Sequence, residues 1–242
     1  MTAVLQIDAG NSSAKWRLVE GGEVVKRGRL ALDADETPAA LADAVRAASE
    51  IWLASVLDDT REAALEQRLT QLNPIPLRRA RSERRCAGVE NSYQDPTRMG
   101  VDRWLALLAA RRRVDGRVCV VDAGSALTID LLAADGRHEG GYIIPGRDLI
   151  RHSLLSGTGR VRDADGDPWS LEPGTNTGSA VSSGAALALV GAVREALRQA
   201  GPPRPVVIFC GGSGEHLLKL LDADGIAAPD LVFEGLELSI VG

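Results

Sequence analysis

Two rhythms of apolar and polar residues run along the chain, and the first of them is written twice. The run Ala3-Val4-Leu5-Gln6-Ile7 reads as a buried strand and leads straight into Asp8-Ala9-Gly10-Asn11-Ser12-Ser13. A second run, Val118-Cys119-Val120-Val121, leads into Asp122-Ala123-Gly124-Ser125-Ala126, an offset of 114 residues. More strand pattern follows each: 15–19 and 23–30 after the first, 127–132 and 138–144 after the second, with turns at Gly21-Gly22 and Asp135-Gly136. Each half therefore opens with a three-stranded meander, which marks a duplicated domain and not a short-period solenoid.

The second rhythm is helical. Thr37 before Pro38 predicts an N-cap and first helical residue for 39–49, and Asp59 with Glu62 opens a helix to about residue 72, with a strand over 51–56 between them. A helix over 100–112 puts Val101, Leu105 and Leu108 on one face and Asp102 and Arg103 in its first turn. In the second half, 177–200 is small and apolar at helical spacing, 205–210 is a strand, and Gly211-Gly212-Ser213-Gly214 leads into a short helix over 215–221. Strands alternating with helices after a meander predict an α/β protein of two similar lobes, residues 1–114 and 115–242, around a cleft.

Composition narrows the chemistry. The 242 residues are 45% hydrophobic and 25% charged, enough to bury a core or two. The longest nearly uncharged apolar run, 184–193, is short of the ~18 residues a membrane span needs, and Asp8 interrupts any leader-like stretch; we expect a cytoplasmic protein. Cys86, Cys119 and Cys210 form no C-x-x-C pair and read as small buried hydrophobes. A net charge of −5 argues against a general nucleic-acid surface, as do only four Trp, two Tyr and two Phe. Arg78, Arg79, Arg81, Arg84 and Arg85 nevertheless form a basic run, either a binding surface or a solvated, protected sheet edge.

An aspartate at the carboxyl end of a buried strand, followed by glycine and small polar residues, suits phosphate and cation work. The glycine admits phosphate oxygens to backbone N–H groups, Ser and Asn add donors, and the carboxylate can hold hydrated Mg²⁺. Lys15, on the return strand of the first hairpin, could bring its ammonium to the same phosphates. One such turn means little; two at matched positions would put two phosphate loops across one cleft. Gly211-Gly212-Ser213-Gly214 reads either as a nucleotide loop or as an ordinary strand-to-helix turn. Asp102, at a helix N-terminus, is either a proton acceptor or a cap, and Arg103 either a clamp for a substrate carboxylate or a surface charge.

Together, Asp8-Ala9-Gly10-Asn11-Ser12, Gly100-Val101-Asp102-Arg103-Trp104, Asp122-Ala123-Gly124-Ser125-Ala126 and Gly140-Gly141-Tyr142-Ile143-Ile144-Pro145-Gly146 resemble the type III pantothenate kinases, in family order and over most of the chain. The resemblance implies duplicated ribonuclease H-like, actin-like ATPase domains of mixed sheets and helices. It also implies ATP-dependent phosphorylation of pantothenate to 4′-phosphopantothenate, the first step of coenzyme A synthesis, by a homodimer. By the same resemblance, Asp8, Ala9, Gly10, Asn11, Ser12, Ser13, Ala14, Lys15 and Ser125 match ATP-binding positions; Gly211 and Gly212 are candidate nucleotide contacts from the glycine-loop reading above. Asp102 matches the catalytic base; Tyr93, Gly100, Val101, Arg103 and Thr177 match substrate contacts. Asp122 matches the ligand of a K⁺ or NH₄⁺ ion, and Asp8 is the candidate for Mg²⁺. Ser125 stands where threonine is common and Asp95 where asparagine is common. Two other readings stay open: a kinase for another hydroxylated substrate, and a non-catalytic accessory protein on the same fold. His138, His152 and His216 lack ligand spacing and are expected to be structural or surface residues, and Trp16, Trp52, Trp104 and Trp169 to be core or interface residues.

Overall fold

A strand shows its side chains to alternate faces, and the opening strand uses this period to sort core from chemistry. In β1 (Ala3–Ala9), Ala3, Leu5, Ile7 and Ala9 enter one hydrophobic core while Asp8 stays half-buried. The computed structural model describes residues 2–34, 36–156, 169–222 and 224–241. By their contacts they divide into two units, Met1–Ala109 with Val232–Gly242, and Ala110–Leu231.

In the first unit, β1 pairs antiparallel with β2 (Ser13–Glu20), which pairs antiparallel with β3 (Glu23–Ala31). After α1 (Ala39–Ala47), β4 (Glu50–Ser55) joins β1 in parallel; after α2 (Asp59–Leu72), β5 (Leu77–Arg79) joins β4 in parallel. Leu41 and Val45 of α1 and Leu65 and Leu69 of α2 cover the face that carries Leu5 and Ile7. A two-residue hairpin pair, β6 (Arg85–Cys86) and β7 (Val89–Glu90), and a 3₁₀ turn at Pro96–Arg98 lead to α3 (Val101–Arg113).

The second unit repeats the plan. Strands β8 (Val118–Ala123), β9 (Ala126–Leu132) and β10 (His138–Pro145) form the meander. Helices α4 (Arg147–Ser156) and α5 (Thr177–Ala200) follow, then β11 (Val206–Cys210), α6 (Gly214–Leu221) and β12 (Ile226–Ala227). Among the described residues each unit holds one five-stranded sheet, ordered β3-β2-β1-β4-β5 and β10-β9-β8-β11-β12, with the same parallel and antiparallel pairings. The expected α/β duplication is thus present in topology as well as in sequence. The last helix, α7 (Leu231–Val241), lies almost wholly in the first unit. A single break after residue 114 does not anticipate that return.

Several local expectations shift. The helix expected over 39–49 starts at Ala39 but ends at Ala47, and Thr37 does not cap it: its Oγ1 accepts from Arg68 Nε of α2 at 2.6 Å, while Pro38 holds the cap position without a side-chain bond. A charge-assisted bond to a guanidinium outcompetes a neutral cap. In α2 the cap is Asp58, not Asp59; its carboxylate accepts from the Arg61 N–H at 3.0 Å, the three-residue reach a cap requires. α5 is capped reciprocally by Asn176 and Ser179. By length and composition α5 could cross a membrane, but Ala186, Leu189, Val190, Val193 and Ala196 pack into the second unit's core, as the central helix of a globular unit does. The short edge strands β5 and β12 carry too few residues to show a period, and α7 is apolar nearly throughout, so neither stands out in the sequence.

Gly235 of α7 packs directly on α3: a β-carbon there would strike the Leu105 backbone carbonyl and lie 2.8 Å from its Cα. Main chain cannot move aside as a flexible side chain can. We therefore expect Gly235→Val to lose about 3 kcal/mol of stability in urea denaturation, and a loss below about 0.5 kcal/mol would contradict the α3–α7 contact.

Candidate active site

The first candidate group is the β1–β2 hairpin of the first unit. Antiparallel register sets Asp8 directly opposite Lys15 and Ala9 opposite Ala14, so the carboxylate and ammonium leave one face of the sheet. The turn is closed by Gly10 N–H donating to the Ser13 carbonyl at 3.1 Å, and Arg61 of α2 steadies it by donating to the Asn11 carbonyl at 2.8 Å. Asn11 and Ser12 are exposed on the turn, Ser13 half-buried and Ala14 buried. Lys15 is half-buried and takes no ion pair or side-chain hydrogen bond among the described residues. A half-buried cation in that condition fits an anionic ligand supplied from outside.

The second unit builds the same device on β8–β9, with Asp122 again one residue before the strand's end. Gly124 N–H donates to the Ala126 carbonyl at 3.0 Å, the counterpart of the first turn's closure, and Ser125 is exposed at its tip. The two turns are not identical. Opposite Asp122 stands Thr128 where Lys15 stands opposite Asp8, so the first turn offers a cation and the second a hydroxyl. Gly146 N–H donates to the Ser125 carbonyl at 2.9 Å, which ties the start of α4 to this turn. On the other side, Gly211 adopts φ +79°, and a β-carbon there would collide with Asp122 Oδ1 and lie 2.6 Å from the Ala123 carbonyl. Ser213 N–H donates to that same carbonyl at 3.0 Å. The glycine loop is thus part of the Asp122 turn, and Gly212 is exposed beside it. Thr177 opens α5, exposed, and its hydroxyl takes no hydrogen bond among the described residues.

The third group lies in residues 91–103. Asp102 is the second residue of α3, and its Oδ1 accepts the Arg103 N–H at 2.7 Å. Gly100 gives that carboxylate room, since a β-carbon there would lie 2.6 Å from Oδ1, and Val101 beside it is buried. Arg103, only 6% exposed, donates from Nη1 to the Tyr93 hydroxyl at 2.8 Å and lies over the Tyr93 ring at 5.9 Å. Because α3 begins at Val101, Asp102 lies inside the first turn and not at the cap position, and a carboxylate there fits the proton-accepting reading. Asp95 accepts from the Thr97 hydroxyl at 2.6 Å and the Thr97 N–H at 3.0 Å, and these bonds hold its carboxyl below the usual carboxylate range. It therefore brings a standing negative charge to this segment.

Sequence reasoning missed several members of these groups. Arg61 and Thr128 carry no motif. Trp169, buried, stacks on His216 at 5.4 Å and lies under Arg147 at 5.1 Å, so His216 is a surface residue, as expected, with one ring face on Trp169. His138, fully buried, meets buried Asp130 at 3.0 Å, and His152 Nδ1 meets the Asp148 carbonyl at 2.9 Å, as structural histidines do. Cys119 and Cys210 are buried, but Cys86 is only half so; burial, helped by the Asp130 charge, pushes the Cys119 thiol up to about 12. Among the described residues no cluster of three or more His, Cys, Asp or Glu could hold a metal by itself.

The sequence model of the type III pantothenate kinases matches residues 4–199. A type III pantothenate kinase from Pseudomonas aeruginosa is 40% identical over 248 residues, covering 98% of each chain. Among solved structures, a conserved Baf family protein from Campylobacter jejuni superposes with a TM-score of 0.60 at 22% identity over 98% of this chain and 97% of that one. A 2-dehydro-3-deoxygalactonokinase protein from Sinorhizobium meliloti gives 0.54 at 15% identity over 99% and 98%. These two likenesses bear on fold: both chains share the duplicated α/β plan.

Gly211 supplies the site's sharpest local test. Gly211→Ala combines a left-handed backbone with a collision against Asp122 and Ala123, so the turn must open. We expect ATP affinity, read by isothermal titration, to fall by at least about tenfold with the fold retained by circular dichroism; undiminished affinity would separate Gly211 from nucleotide binding.

Proposed function

The chain belongs to the type III pantothenate kinase family, and from that membership we propose that it transfers the γ-phosphoryl group of ATP to the primary hydroxyl of pantothenate. The observation that best supports this within the chain is the group at the start of α3. Asp102 is a carboxylate at a helix N-terminus, and beside it Arg103 is a buried guanidinium oriented by Tyr93. Pantothenate carries a carboxylate for the guanidinium and an alcohol for the base.

Asp102 takes the proton of the hydroxyl as its oxygen bonds the γ-phosphorus, and the bond from that phosphorus to the β–γ bridging oxygen breaks, releasing ADP. Arg103 holds the acceptor's carboxylate, with Tyr93, Gly100, Val101 and Thr177 completing its contacts. Asp8 to Lys15, Ser125, Gly211 and Gly212 bind ATP. The Lys15 ammonium, without an ion pair among the described residues, and the glycine against Asp122 suit phosphate oxygens. Strand-end carboxylates that belong to no cluster of three or more ligating side chains among the described residues fit cations that phosphate and water also ligate: Mg²⁺ at Asp8 and K⁺ or NH₄⁺ at Asp122. Such cations would supply charge neutralisation. Positioning by the chain's own residues supplies much of the remainder.

Measuring ADP release with and without pantothenate tests the substrate; release dependent on another alcohol favours the other-kinase reading, and none at all the accessory one. Asp102→Asn should lower kcat by at least about 10²-fold with ATP affinity retained, and an active Asn variant would remove Asp102 from the base role.

We further propose a cytoplasmic homodimer. Ala180, Gly184, Leu187, Ala188 and Gly191 form an exposed stripe of apolar residues along α5, with Leu187 59% exposed and, among the described residues, no atom within 4 Å of where β-carbons at Gly184 and Gly191 would stand. A second copy's helix could pack closely there. Light scattering should give twice the chain mass for the wild type and the single mass for Leu187→Glu; a monomeric wild type refutes the dimer.

A further inference from the structure

The five-arginine run is absorbed by neither the fold expectation nor the proposed chemistry, and its members do different things. Arg79 pairs with Glu66 and Glu62, Arg81 with Glu62, Arg85 with Glu90, and Arg78 lies near Glu50 and donates to the Ile240 carbonyl at 2.6 Å. Arg84 instead faces main chain. Its Nη1 donates to the carbonyls of Asn91 at 2.9 Å and Tyr93 at 2.7 Å, and its Nη2 to that of Gln94 at 2.6 Å. Its own carbonyl accepts from the Asn91 N–H at 3.0 Å. Asn91, 1% exposed, then accepts the Tyr93 N–H on Oδ1 at 3.0 Å.

Residues 91–95 belong to no helix or strand, so no ladder holds their carbonyls. One planar guanidinium with several fixed donors takes that place, and an ammonium, a single point charge on a flexible stem, cannot reproduce the span. The segment so held carries Tyr93, whose hydroxyl accepts from Arg103 Nη1. We propose that Arg84 is a positioning residue for the acceptor pocket. It fixes the backbone on both sides of Tyr93, and through Tyr93 the orientation of the Arg103 guanidinium. The proposal rests on the pantothenate reading above and adds to it the residue that sets the pocket's geometry.

The test is steady-state kinetics of Arg84→Ala and Arg84→Lys, each alone and with Tyr93→Ala, alongside hydrogen exchange at the Tyr93 amide. Arg84→Ala should raise KM for pantothenate about tenfold and leave KM for ATP within about twofold, with Arg84→Lys between it and wild type. In the Tyr93→Ala background the same change should add less than about twofold, because the route through Tyr93 is already gone. The Tyr93 amide should exchange faster in Arg84→Ala than in wild type. Equal rises in both KM values, or a tenfold effect that persists without Tyr93, would mean a general structural role and overturn the proposal. If the wild type ignores pantothenate, the functional reading fails by itself; Tyr93 amide exchange then decides the clamp, unchanged exchange overturning it and faster exchange supporting it. Should Arg84→Ala not fold, Arg84→Lys carries the same comparisons.

Discussion

The alternation of side chains along two buried strands is the constraint on which the remaining structure depends. Leu5, Ile7 and Ala9 of β1 are anchored in one core, and Cys119, Val121 and Ala123 of β8 in another. The intervening positions have no choice of face, so Asp8 and Asp122 emerge on the opposite side, each one residue before its strand ends. Slipping either strand by one residue would put a carboxylate in the core and an aliphatic side chain at the turn. The chemistry of both turns is therefore tied to the packing beneath them.

Duplication brought the same scaffold twice, and small differences assign the copies different work. The first turn has three residues between strands and Lys15 across from its aspartate; the second has two and Thr128. Support differs as well. The first turn is steadied by a guanidinium from α2, the second by Gly146 on one flank and the Gly211 loop on the other. A cation beside one carboxylate and a hydroxyl beside the other give the two turns different electrostatic characters on one topology.

The arginine run shows how little a linear charge pattern says about use. It lies on and after an edge strand, where positive charge discourages pairing with another chain, and four of its members are taken up by acidic side chains or by α7. Exposed ion pairs of this kind contribute little stability each. Arg84 differs by direction alone, toward three carbonyls, and direction is a property of the folded loop.

The elements that could be read from the residues are those whose cause is local. Short apolar runs produced β1, β2, β8 and β9; helical spacing from Thr177 set the start of α5; the repeated Asp-x-Gly exposed the duplication and its strand-end aspartates. What could not be read has a cause distant in the chain. Thr37 left its helix because Arg68 lies 31 residues further on, α7 rejoined the first unit because Gly235 lets it lie against Leu105, and Gly211 belongs to Asp122 across 89 residues of sequence. Likewise Tyr93, Arg103 and Arg84 form one chain of contacts only after the 91–95 segment has folded. By itself the sequence determined which side chains a strand or helix presents, since backbone geometry repeats every two or 3.6 residues; which of them meet was decided by tertiary packing, because contact depends on where the chain returns.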